Sequence, residues 1–249
     1  MITFLKIIFL LGFIIFIHEA GHFIVAKINK IRVNEFSIGF GPCLFSKKKG
    51  DTTYEIRLIP LGGFVNLEGE SEESDREDSF NKASISKRFW IVASGALVNI
   101  IFGLILFMII IGYRYYVVVS ANFAESMKYS LISSGELMKE IFIGIANLFT
   151  GKFTLDDMAG PVGISEMVYK TSGIVEFFYL LSLISISLGV TNLLPIIPLD
   201  GGKLLLLIIE AIRKKPLKQE TELELTSIGF ALLLTFSLLV TVNDISKLF

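Results

Sequence analysis

The chain has 249 residues, 53% of them hydrophobic, with a net charge of −1 and a mean hydropathy of +0.68. That balance is too apolar for an ordinary soluble domain; the net charge itself says nothing about a nucleic-acid partner, and none is expected. The single cysteine, Cys43, excludes an intramolecular disulfide framework and a thiolate-based zinc site, and reads as a small loop residue.

The first apolar run covers about residues 2–26. Lys6 followed by "IIFLLGFIIFI" has the look of a signal peptide, yet no small-residue cleavage site follows and the run continues through "HEAGH" to Val25. It is therefore expected as a retained transmembrane helix. A polar segment follows, with glycine punctuation ("IGFGP", "LGGF"), a β-like stretch "TYEIRLIPLGGFVNLE" and an acidic run "EGESEESDREDS". The acidic run reads as a solvated, mobile loop without chemistry. A second span is expected over about 90–112. In "NFAESMKYSLISSGELMKEIFIGIANLF", the apolar residues Phe123, Met127, Leu131, Met138, Ile141 or Phe142, Ile145 and Leu148 recur at helical spacing. They predict an amphipathic helix lying against the membrane surface or the bundle. A third span over about 177–194 continues through a proline-broken stretch into "KLLLLIIEAI", and a fourth covers about 227–242. The expectation is a mainly α, polytopic membrane protein forming a single domain over 1–249, with a re-entrant or β-hairpin segment after its first helix.

Lysine and arginine are distributed unevenly between the loops: eleven in residues 27–88, five in 113–176 and five in the short 203–227 connection. By the positive-inside rule the first and third loops are cytoplasmic and both termini lie outside. "HEAGH" then sits near the cytoplasmic end of the first span.

That motif is HExxH. On a helix, His18 and His22 lie on one face, one above the other, where both imidazoles reach one metal ion. Glu19 points about 100° around the helix, away from direct ligation but within reach of a water bound to the metal. Such a water has its pKa lowered toward about 7, and Glu19 is placed to take its proton. The competing reading is three incidental polar residues. On insertion scales each costs about 2.5–3.5 kcal/mol at the centre of a span, so three within five positions require a compensating partner. His18 and His22 are the only histidines in the chain. With one cysteine, a third ligand must be a carboxylate. Glu35, Glu55 and Glu68 are generic loop residues, whereas Asp200 stands in "TNLLPIIPLDGGKLLLL", among apolar residues broken by prolines and glycines. Irregular backbone at membrane depth is tolerated where it is buried in protein or lines a wet cavity. Asp200 is thus the best ligand on offer; its bland alternative is the cap of a helix starting near Gly201.

HExxH in the first span, "SGALVN" (Ser94–Asn99) and "NLLPIIPLDGG" together resemble the site-2 family of intramembrane zinc metalloproteases, most closely the bacterial regulator of sigma-E protease group. "FSIGFGP", "RLIPLGGFV" and "AGPVGI" add to the resemblance. It implies Zn²⁺ held by His18, His22 and Asp200, with Glu19 as general base. It also implies Asn99 and Asn192 as polar contacts in the substrate cleft, and pairing of an unwound substrate with the strand containing Leu61, Gly62 and Gly63. The partners implied are transmembrane protein substrates, among them anti-sigma factors or remnant signal peptides, within a bacterial plasma membrane. Relatives usually carry a PDZ domain between the second and third spans. Arg114–Phe177 is too short for one, so none is expected, and substrate filtering by an external domain is then either missing or supplied by an adaptor protein. Two other readings stand beside the protease: a membrane metal carrier using the same three ligands, and an inactive helix-binding scaffold. Glu19 argues against the carrier, which needs ligands but no base.

Overall fold

The computed structural model describes residues 2–152 and 158–247, with all their side chains except those of Leu61, Phe149 and Gln219. The chain is mainly helical, in the order α1 (Ile2–Ile28), β1 (Val33–Lys49), β2 (Thr52–Leu67), α2 (Ile85–Val119), α3 (Phe123–Thr150), α4 (Pro161–Lys170), α5 (Ile174–Asn192), α6 (Asp200–Arg213) and α7 (Gln219–Ser246). Among the described residues, four helices are long and apolar enough to cross a membrane: Ile2–Ile28, Ile85–Val119, Ile174–Asn192 and Glu220–Ser246. These are the four expected positions with different ends, because hydropathy marks the lipid-buried part of a helix and not its hydrogen-bonded length. In α2, the Ser84 hydroxyl accepts from the Lys87 amide and starts the helix five residues before Trp90. Trp90 and Tyr113 are both more than half exposed and stand about 35 Å apart along α2, matching aromatic anchors at the two faces of a bilayer.

By internal contacts the chain divides into residues 1–99 with 188–231, and residues 100–187 with 232–249. The first unit holds α1, the strands, the start of α2 and α6. One apolar cluster (Ala26, Ile31, Val33, Leu67 and Ile91) joins the end of α1 to the strands and to α2. A second (Val92, Ala93, Leu204 and Leu207) joins α2 to α6. The Arg88 guanidinium grips the Glu210 carboxylate with two hydrogen bonds, 3.0 and 2.5 Å long, both side chains being largely buried. The strands bend sharply. Ser37 and Ile38 are flanked on one side by Phe64 and Gly63, running antiparallel, and on the other by Glu55 and Ile56. Positive φ at Gly39 (93°) and Gly41 (80°) lets β1 fold back so that Phe45–Lys49 pair with Ile56–Thr52.

In the second unit, α3 is the expected amphipathic helix, started by a reciprocal capping box between Asn122 and Glu125. Its buried face is not the apolar stripe. Ser126, Ser130 and Ser134 are buried, while Phe123, Met127 and Leu131 are exposed. This inversion follows from the solvent: small polar residues allow close helix contact, here beside Gly112 of α2, and apolar side chains are stable facing lipid. "AGPVGI" opens α4, with Pro161 in the first turn. The Asp244 carboxylate of α7 accepts a hydrogen bond from the Gly163 amide at 2.8 Å.

Candidate metal centre and active site

His18 and His22 lie four residues apart on α1, and Asp200 opens α6. Asp200 does not cap that helix; Leu199 occupies the cap and makes no side-chain capping bond. The carboxylate turns instead to the histidines. Asp200 Oδ2 is 3.1 Å from His18 Nε2 and 3.4 Å from His22 Nε2, and the two Nε2 atoms are 3.2 Å apart. A zinc ion with bonds of about 2.0–2.1 Å to tetrahedral ligands would separate those ligands by about 3.3 Å. The three observed distances are therefore edges of such a tetrahedron, and the donor set of two imidazoles and one carboxylate fits zinc.

Each imidazole is oriented from behind. His22 Nδ1 donates to the Ile91 carbonyl at 2.8 Å, leaving Nε2 with its lone pair for a metal. His18 Nδ1 lies 3.4 Å from the amide of Asn99, which is fully buried. The amide's two ends are interchangeable by a flip, and with its oxygen toward the ring Asn99 accepts the Nδ1 proton in the same way. Asn99 thus stands behind the His18 ring and is not among the residues that line the cavity beside it. Gly95 supplies room: a Cβ there would lie 2.4 Å from His22 Nε2 and 2.8 Å from His18 Nε2.

Glu19 joins His18, His22 and Asp200 in lining a cavity of about 360 Å³, completed by Phe64–Leu67, Glu70, Ser71, Ile91, Val92 and Lys203. Gly63 borders Glu19, a Cβ on it lying 3.5 Å from Glu19 Cγ. Gly62 instead packs under the Phe40 ring, and the Leu61 side chain is outside the described residues. Asn192 ends α5 and does not line this cavity. Residues 63–67 pair with β1 on one side only, among the described residues, which makes them an edge strand beside the cavity. Sequence reasoning missed Glu70 and Lys203, whose 2.8 Å ion pair crosses the cavity wall. Glu70 belongs to the acidic run, whose composition alone predicts a solvated loop. The run is tied down here: Ser74 and Asn34 both donate to Glu68 and hold its carboxyl below the usual range.

Residues 6–236 match the family described as Peptidase family M50. The chain belongs to that family, the membrane zinc metallopeptidases of site-2 type. The Fusobacterium nucleatum protein FN1322 is 29% identical to it over 338 aligned positions covering 99% of each chain. The regulator of sigma-W protease RasP of Bacillus subtilis is 26% identical over 418 positions, again covering 99% of each. The zinc metalloprotease RasP of Bacillus licheniformis is 25% identical over 417. These alignments exceed the 249 residues of this chain, so each relative contains stretches with no counterpart here. This M50 chain is thus a zinc metalloendopeptidase and a multi-pass bacterial membrane protein acting on membrane-protein substrates.

Proposed function

We propose that His18, His22 and Asp200 hold the zinc ion and that Glu19 is the general base for hydrolysis of peptide bonds inside transmembrane segments. The observation that carries this is the tetrahedral spacing of the three ligand atoms in a cavity that Glu19 also lines. Zinc, when bound, supplies a Lewis acid that polarises the scissile carbonyl and acidifies water. Glu19 accepts a proton from the attacking water as its oxygen bonds to the carbonyl carbon. It then delivers that proton to the amide nitrogen as the C–N bond breaks. A transmembrane helix hides its carbonyls in internal hydrogen bonds, so cleavage requires local unwinding. The Gly63–Leu67 edge offers backbone partners to the unwound segment, as in strand addition.

Charge distribution supports placing the centre toward the cytoplasmic side, with both termini outside. The Bacillus subtilis relative is named a regulator of sigma-W protease, which supports a role in sigma-factor regulation; anti-sigma factors and remnant signal peptides are the substrate classes proposed. The alignments leave stretches of the relatives with no counterpart in this chain, in keeping with the expectation that no PDZ module lies between the second and third spans.

The test is Glu19→Gln in the purified full chain. Zinc content should remain at one per chain while cleavage of a model transmembrane substrate is lost. Unchanged cleavage would remove Glu19 as base, and metal flux into vesicles that survives the substitution would favour a carrier.

A further inference from the structure

The hairpin of β1 and β2 has a second feature that peptide hydrolysis does not use. Its folded-back part is apolar and open: Phe40, Leu44, Phe45, Ile56, Leu58 and Ile59 are each 45–63% exposed. Immediately beyond on β1 come Lys47, Lys48 and Lys49, all exposed and in no ion pair among the described residues. The one carboxylate of the following turn, Asp51, is taken by Arg32 at 3.0 Å.

Contacts with α1 fix the depth of both parts. Pro60 packs against the middle of α1, where a Cβ on Gly12 would come within 2.8 Å of its carbonyl oxygen. Thr52 lies at the end of α1, accepting from Lys27 Nζ at 2.7 Å and donating to the Val33 carbonyl at 2.8 Å. Gly12 to Lys27 is about 22 Å of helix and Thr52 to Pro60 about 26 Å of strand, so the two run side by side. Lys47–Lys49 pair with Tyr54–Thr52, which puts all three within about 7 Å of the Lys27 level. Alternation sends Lys47 and Lys49 to one face of the strand and Lys48 to the other, all at one depth. The apolar part therefore lies level with the lipid-buried middle of the first span, and the lysines lie level with its charged end.

We propose that Lys47, Lys48 and Lys49 bind the headgroups of anionic phospholipids, and that this contact sets how deeply the apolar hairpin sits in the bilayer beside the catalytic cleft. A lysine near an anionic membrane surface favours the bound position by about fivefold, so three act together by about 100-fold at low salt. The lysine stems reach outward along the strand while the ammonium groups stay in the headgroup layer. Because Phe45–Lys49 are hydrogen-bonded to the strand that flanks Ser37 and Ile38, their anchoring is transmitted to the Gly63–Leu67 edge on the other side. The inference rests on membrane embedding and on the hairpin, not on the proteolytic assignment.

Cys43, the single cysteine, is exposed in the apolar part and accepts a fluorophore without further substitution. The labelled full chain is reconstituted in phosphatidylcholine vesicles containing brominated acyl chains, with the phosphatidylglycerol fraction raised stepwise. Quenching should deepen with phosphatidylglycerol and reverse with added salt. The K47Q/K48Q/K49Q variant should keep the phosphatidylcholine value at every composition, while K47R/K48R/K49R should respond like the unaltered chain. No response of the unaltered chain, or an equal response of the glutamine variant, overturns the proposal. Zinc content measured in parallel should be the same in all forms, and E19Q should keep the lipid response, so failure here is distinguishable from failure of the catalytic assignment.

Discussion

Gly95→Ala should abolish zinc binding without unfolding the chain. The added methyl carbon would stand 2.4 Å from His22 Nε2, 2.7 Å from His22 Cε1 and 2.8 Å from His18 Nε2. Ordinary contact between such atoms begins near 3.5 Å, so the rings must retreat by about 1 Å. Metal sites tolerate displacements of about 0.2 Å in their ligand distances. Loss of an outer partner of a ligand alone costs about 10–100-fold in metal affinity, and a methyl aimed at both ligand atoms should cost at least the upper figure, about 2.7 kcal/mol. Alanine is meanwhile the better helix former by about 1 kcal/mol, so α2 itself gains. The assay is competition for zinc against a chelator of known affinity in detergent, with helical content followed by circular dichroism. Gly144→Ala is the control, since open space surrounds that position in α3, and it should leave zinc affinity unchanged. Zinc affinity of Gly95→Ala within about twofold of the unaltered chain would refute the geometry, because the Nε2 atoms of His18 and His22 would then not converge where Gly95 lies.

Asn99→Leu should weaken zinc by about 10–100-fold, and Asn99→Asp, which keeps an acceptor beside His18 Nδ1, should recover most of the loss in the same competition assay. Breaking the largely buried Arg88–Glu210 pair by Glu210→Gln should cost about 3–5 kcal/mol, read as a lowered midpoint of thermal unfolding in detergent, whereas the apolar exchange R88M/E210L should restore part of it. The more open Lys203–Glu70 pair should contribute about 1 kcal/mol or less to stability; Lys203→Gln should instead raise KM more than it lowers kcat, and the exchanged pair K203E/E70K should return KM toward its original value.

The histidine pair of the proposed metal centre was legible because it is local. Four-residue spacing on a helix puts His18 and His22 on one face whatever the rest of the chain does. Asp200 was legible from its setting, an acid among prolines, glycines and leucines. Asn99 was visible as a polar residue in a span, but which neighbour it serves depends on the rotation of α2 against α1, which no spacing records. The sequence of α3 shows its apolar stripe but not the direction in which the stripe faces. Periodicity locates an apolar face, while the surrounding solvent decides whether that face turns inward. The register of β1 and β2 was beyond reach, since it follows from positive φ at Gly39 and Gly41 and from a strand that pairs on both sides.

The break between α5 and α6 explains how a residue so far along the sequence reaches the first span. Had α5 continued as one helix, Asp200 would stand about 12 Å beyond Asn192 along its axis. The chain instead turns at Leu193–Leu199, where Leu194 donates to the Thr191 carbonyl and Leu199 to that of Ile196, and begins a new helix at the aspartate itself. Gly201 and Gly202 then lie directly on that turn. A Cβ at Gly201 would approach the Leu194 carbonyl oxygen to 2.2 Å, and one at Gly202 the Ile197 nitrogen to 2.6 Å. The obstructing atoms are backbone, which cannot swing aside, so any side chain at either position must lift α6 off the turn and carry Asp200 with it. "DGG" is therefore one unit: the two glycines seat the helix, and the seat holds the Asp200 carboxylate against His18 and His22.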